Sequence, residues 1–98
     1  MNMQAVMKQA QKLQRDMLKT QEEINNMIFE GKSSFVTVKV NGKKEVLEVN
    51  IDSEELDKDE IEMLQDMILV AINDAFRQVD KITEEKMAPY TKGMPGLF

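Results

Sequence analysis

The feature that most constrains this chain is a run of apolar or small residues, Met3, Val6, Ala10, Leu13, Met17, Thr20, Ile24 and Met27, at alternating intervals of three and four. That spacing draws one continuous stripe along a helix, and no Gly or Pro interrupts it. A helix of about 25 residues is roughly 37 Å long, against a globular average of about 11 to 12 residues. Such an element must project from the body or pair with something. The chain has 98 residues, and a chain this small hides only about 60% of its unfolded surface. Its own core cannot cover so long a stripe, so a partner is expected.

After the stripe Gly31 reads as the break in the helical pattern, and Phe35 to Val40 alternates as a strand does. Asn41-Gly42 is the preferred pair of a two-residue type I′ hairpin, since both central residues need positive φ. Lys43 to Ile51 then reads as the returning strand, and Ile28 to Lys32 as a short third one. Asp57 with Glu60 three residues on offers a helix N-cap. A second helix is predicted from about Lys58, with Ile61, Leu64, Ile68, Ala71, Ala75, Val79 and Ile82 as its stripe, running to about Met87 before Pro89 stops it. The fold class is α+β: a single domain over residues 1–90, followed by a tail over 91–98 that holds two Gly and one Pro and is expected to be mobile.

Composition closes off most chemistry. The chain has no Cys and no His, so thiolate nucleophiles, sulfur metal sites and the commonest acid/base group are missing. Ser33 and Ser34 have no His to activate them, and Glu54 and Glu55, being adjacent, would diverge on a helix rather than form a dyad. The acidic run from Asp52 to Glu62 lacks the Gly and Glu spacing of a calcium-binding EF-hand. No glycine-rich phosphate loop is present. The expectation is therefore no enzyme, cofactor, metal or small-molecule substrate. The longest apolar run, Met67 to Ile72, has six residues, whereas a membrane span needs about 20. With no signal-peptide pattern at the start, the chain reads as cytoplasmic.

The formal charge of −5 argues against nucleic acid until it is placed along the sequence. Residues 53 to 88 carry −7, whereas residues 1 to 29 carry +1. Within the first 21 residues Asp16 is the only acid beside Lys8, Lys12, Arg15 and Lys19. Spacings of four, three and four put these cations along one side of the first helix, beside the apolar stripe, where a phosphate backbone could lie. An ordinary solvated face is the bland alternative. Glutamines at 4, 9, 11 and 14 flank the row and can hydrogen-bond phosphates or bases. A two-residue hairpin turn would set Lys39 opposite Lys44 with Lys43 at the tip, a secondary basic cluster that an anion would relieve. Nine methionines are a high usage for 98 residues, and several fall on the helical stripes, where they read chiefly as core, with an adaptable binding surface as the alternative.

Met7-Lys-Gln-Ala-Gln-Lys-Leu-Gln14, Lys39-Val-Asn-Gly42, Glu45-Val46, Glu62 to Ala75, Glu85-Lys-Met87 and Gly93-Met-Pro-Gly96 together resemble the YbaB/EbfC family of bacterial nucleoid-associated proteins over nearly the whole chain. The departure is between Gly31 and the second strand, where the family usually carries a longer glycine-rich linker and this chain has only Lys32-Ser33-Ser34. The resemblance implies an α-β-β-β-α subunit that forms a homodimer through its sheet, with projecting helices and DNA bound with little sequence preference. It also implies a place in the nucleoid and effects on DNA organisation, gene expression and DNA protection.

The residues and the resemblance converge on a dimeric protein that contacts double-stranded DNA through Lys8, Lys12, Arg15 and Lys19. Gln4 and Gln11 are added contacts, and Lys39, Lys43 and Lys44 a second candidate group. The alternative is a scaffold or holdase that resembles prefoldin-like chaperones and grips apolar clients with Met-rich helices.

Overall fold

A computed structural model describes residues 2–53 and 56–91. The order is α1 (Met3–Asn25), β1 (Ile28–Ser33), β2 (Val36–Asn41), β3 (Val46–Ile51), a 3-10 turn (Lys58–Glu60) and α2 (Ile61–Thr91). This is the expected α-β-β-β-α subunit. The three strands form an antiparallel meander in the order β1-β2-β3. The body measures 72 × 21 × 13 Å, with a radius of gyration of 19.6 Å, whereas a compact chain of this length would have about 13 Å.

Helix α1 begins at Asn2, whose side-chain Oδ1 accepts from the Gln4 backbone N–H at 3.0 Å, satisfying one of the donors a helix start leaves unpaired. It ends at Asn26, well before Gly31. Gly31 is instead buried in the middle of β1, where an added Cβ would lie 1.9 Å from the Ala71 carbonyl oxygen of α2. The glycine permits a close approach of helix and strand; it does not break a helix.

One face of the sheet forms the core. Phe29, Val36, Val38 and Val40 point at Ala71, Ala75 and Val79 of α2, all of them buried, and small alanines on the helix let it settle onto the bulky strand residues. The other face carries a row of cross-strand partners, Glu30, Lys39 and Glu48. Strand β1 is an outer strand, and α2 satisfies its free backbone groups with side chains. The Gln78 amide donates to the Glu30 carbonyl at 2.8 Å, and Asp74 Oδ2 accepts from the Lys32 N–H at 3.3 Å. Such cover blunts an edge that would otherwise pair with another strand.

Three local expectations are corrected. The β2–β3 connection is not a two-residue type I′ turn: Asn41 and Glu45 close it, with Asn41 N–H donating to the Glu45 carbonyl at 3.1 Å around Gly42, Lys43 and Lys44. The positive φ falls on Lys44 (62°), the pattern of a three-residue hairpin. Asn41 Oδ1 organises it by accepting from the backbone N–H groups of Lys43 and Glu45. Gly42 serves packing, since a Cβ there would lie 1.9 Å from the Ile24 carbonyl oxygen. The two-residue turn is instead Ser34-Phe35, with Ser34 at φ 53°.

Asp57 occupies the cap position of the 3-10 turn, but its side chain makes no capping hydrogen bond. Helix α2, finally, continues through Pro89 to Thr91. A proline there removes only one late N–H, and packing holds the last turn: Tyr90 Oη lies 3.2 Å from Thr20 Oγ1, and the Thr91 hydroxyl donates to the Ala88 carbonyl. Of the expected tail only Thr91 is described; residues 92–98, like Glu54 and Glu55, lie outside the described residues.

Candidate nucleic-acid interface

The hairpin tip anchors α1. Its C-terminal turn sits against Gly42, and Ile24 is fully buried. From that anchor α1 runs alongside the end of α2 in the opposite direction, with Thr20 meeting Tyr90. Beyond Met17 the contact ends, and residues 3 to 16 are exposed on every side. These fourteen residues make an arm of about 21 Å, the projection that the long stripe predicts.

Lys8, Lys12 and Arg15 are exposed on this arm and Lys19 is exposed just behind it, and none of the four enters an ion pair among the described residues. At 3.6 residues per turn the row is centred roughly 160° around the helix from the apolar stripe, so it occupies the opposite face rather than lying beside it. Gln4 and Gln11 border the row, and both are exposed. The cationic face points away from α2, and with it from most of the chain's acidic residues. That arrangement leaves a straight row of positive charge, unpaired among the described residues, spanning twelve residues of helix, from Lys8 to Lys19.

The hairpin cluster is arranged otherwise. Lys39 does not face Lys44: the longer turn and a bulge between Lys39 and Val40 shift the register, and Lys39 pairs with Glu48 at 3.5 Å. Lys44 turns back onto α2, where its ammonium lies 2.6 Å from Asp80 and 5.9 Å from the centre of the Phe76 ring. Only Lys43 of the three forms no ion pair among the described residues. The expected like-charge strain is therefore absent, and two of the three lysines already have carboxylate partners.

Single-strand alternation did not reveal a second surface. Helix α2 packs on β1 and β2, so β3 lies beyond its cover. Val46 and Val49 are paired with the buried Val40 and Val38 and belong to the same face of the sheet, yet they are 44% and 45% exposed. Ile61, Met63, Leu69 and Val70 on α2 are similarly open, as is Leu47 at the bulge. The sequence signal was present in these apolar residues, but which of them α2 covers depends on tertiary placement.

No group of three or more acidic, His or Cys side chains among the described residues is placed to hold a metal. No helix among them is long and apolar enough to cross a membrane.

The sequence profile of the YbaB/EbfC DNA-binding family matches residues 1–94. The chain belongs to this family. Relatives include a nucleoid-associated protein of Ligilactobacillus salivarius, 46% identical over 99 residues that cover 99% of this chain and 95% of that one. Another from Chloroflexus aurantiacus is 48% identical over 100 residues, covering both chains completely. A third, from Lactococcus lactis subsp. cremoris, is 48% identical over 97 residues, covering 97% and 98%. The crystal structure of an uncharacterized protein from Helicobacter pylori superposes with a TM-score of 0.74 at 21% identity, covering 92% of this chain and 97% of that chain. The fold is thus shared along nearly the whole chain.

Proposed function

We propose that this member of the YbaB/EbfC family works in the nucleoid as a homodimer that binds duplex DNA with little sequence preference, through the cationic face of α1. The observation that carries the reading is the unpaired row Lys8, Lys12, Arg15 and Lys19 on an arm clear of the chain's acidic half. Contacts from such a row go to phosphates, which carry no sequence information. Binding of this kind is broad and alters DNA by bridging, bending or coating it, from which effects on expression and protection would follow. Gln4 and Gln11 are placed to add hydrogen bonds at the margin of the same face, and Lys43 is the favoured member of the hairpin group.

The homodimer reading is supported by the uncovered part of the apolar layer. Strand β1 has its edge satisfied by Gln78 and Asp74, whereas β3 offers an edge and open Val46 and Val49, and α2 carries open Ile61 and Leu69. A second copy meeting the first across β3 would bury this face in a two-fold, self-complementary contact, and the dimer would display two cationic arms.

The test is a Lys8→Glu/Lys12→Glu/Arg15→Glu variant titrated with a random-sequence duplex of about 30 base pairs, long enough for several phosphate contacts. Affinity should fall by an order of magnitude or more, on the scale of about three lost phosphate contacts, while sedimentation still reports a dimer. Full retention of affinity would refute the assignment of α1 as the DNA-binding face.

A further inference from the structure

The base of α1 rests on the hairpin tip by main chain. The three atoms nearest a Cβ added at Gly42 are all backbone of α1: the Ile24 carbonyl oxygen at 1.9 Å, the Ile24 carbonyl carbon at 2.4 Å and the Asn25 Cα at 2.9 Å. That carbonyl also accepts from the Met27 N–H at 3.0 Å, in the turn that leads into β1. No side chain stands between tip and helix to rearrange.

The tip is itself braced. Asn41 Oδ1 accepts from the Lys43 and Glu45 backbone N–H groups, Asn41 Nδ2 donates to the Glu45 carboxylate at 2.9 Å, and Lys44 pairs with Asp80 of α2. A second hold on α1 lies about one turn further out, where Thr20 meets Tyr90. Residues 3 to 16 are exposed beyond it.

We propose that the β2–β3 hairpin tip sets the direction in which the α1 arm leaves the body, with Gly42 as a positioning residue for the cationic row, a role that rests on reading that row as the DNA-binding face. The arrangement is a lever with a short inner end. Thr20 and Ile24 are four residues apart, about 6 Å along the helix, whereas Lys8 lies about 18 Å beyond Thr20. Restoring a separation of about 3.5 Å at a Cβ on residue 42 displaces the base of α1 by roughly 1.6 Å. With Thr20 held at Tyr90, that turns the helix by up to about 15° and carries Lys8 through as much as about 5 Å. A cleft of about 210 Å³ between α1 and α2, lined by Gln21, Thr83, Glu84, Met87 and Thr91, leaves room for the tilt. Since a charge pair needs its atoms within about 4 Å, the outer end of the row would lose a phosphate that the inner end keeps. Lys44 serves here by holding the tip on α2.

The test is Gly42→Ala in the full chain, which changes no charge. Residual dipolar couplings of the backbone amides should show the axis of α1 turned by about 5–15° against β2, with the couplings within the sheet unchanged. In a titration with a random-sequence duplex, the slope of log affinity against log salt should flatten by about 0.9 for each arm, the value of one phosphate contact. A merely destabilised protein would bind less at every salt concentration and keep its slope. Tyr90→Ala frees the second hold without touching the tip, and it serves if Gly42→Ala fails to fold: the couplings of residues 8–16 should shrink while those of β2 stand. An unturned α1 axis in folded Gly42→Ala, a turned axis with an unchanged slope, or undiminished arm couplings in Tyr90→Ala would each overturn the proposal. A wild-type protein that bound no duplex would overturn the proposed function and with it the role in DNA binding, whereas a turned axis would still show the tip directing the arm, so the two failures are distinguishable.

Discussion

Gly31→Ala is the perturbation whose cost the structure specifies most closely. The new methyl would sit 1.9 Å from the Ala71 carbonyl oxygen, 2.7 Å from the Ala75 nitrogen and 2.9 Å from the Ala75 Cβ. Optimal separation of heavy atoms is about 3.5 Å, so the shortest contact falls roughly 1.6 Å short of it. Two of the three obstacles are helix backbone, which has no rotamer to change, so α2 as a whole must lift away from β1. That movement loosens Ala71, Ala75, Val36 and Val38, all at 0% exposure. Overpacking of this kind costs about 1–3 kcal/mol, and sometimes more, against about 0.4–1 kcal/mol gained by stiffening the unfolded chain. The expected net loss is about 2 kcal/mol, which lowers the melting temperature of a domain this size by roughly 8–16 °C. Urea unfolding followed by circular dichroism measures it, at one fixed protomer concentration because association shifts apparent stability. Lys32→Ala, next door but exposed, is the control and should stay within about 0.5 kcal/mol of wild type. A Gly31→Ala protein as stable as wild type would refute the close approach of α2 to β1.

Further expectations follow from the turns, the covered edge and the open layer. Lys44→Gly and Lys44→Ala both remove the exposed Asp80 pair, but only glycine accepts φ 62° without cost, so the glycine variant should be about 1 kcal/mol the more stable by urea unfolding. Gln78→Ala removes the hydrogen bond to the Glu30 carbonyl; stability should fall by about 0.5–1.5 kcal/mol, with faster amide exchange along β1 at Lys32. Val46→Asp/Val49→Asp places two charges on the apolar face beyond α2. Sedimentation should then report a monomer with its circular dichroism spectrum largely retained, and an unaltered dimer would contradict assembly across that face.

Periodicity carried the fold because both helices and the strands obey their own repeat. The stripe from Met3 to Met27 located α1 within two residues of its end, and the alternation of Phe35 to Val40 located β2. What sequence alone could not separate was two uses of glycine. Gly31 and Gly42 stand where a helix break and a turn were expected, yet each is needed because a helix backbone passes within touching distance, a long-range fact that no local pattern contains. The hairpin register failed for the same reason: the Asn41 side chain and the packing of Gly42 on Ile24 select a longer turn, which carries Lys44 to Asp80 and Lys39 to Glu48. Pro89 was read by its own propensity, whereas the contact between Tyr90 and Thr20 holds the turn that follows it. The cationic row was legible as a row; its place on the outer face required only that the helix angle be followed through.

The central claim is that phosphate contacts from α1 drive binding, and the salt dependence of duplex affinity tests it most directly. The protein is titrated into a random-sequence duplex at several salt concentrations, and log affinity is plotted against log salt. The account predicts a line whose slope is about −0.9 for each phosphate contacted, with roughly four to eight contacts for a dimer presenting two arms. The Lys8→Glu/Lys12→Glu/Arg15→Glu variant should flatten it. Affinity that held or strengthened as salt rose would contradict the account and favour apolar client binding of the holdase kind, and so would the absence of any duplex binding at low salt.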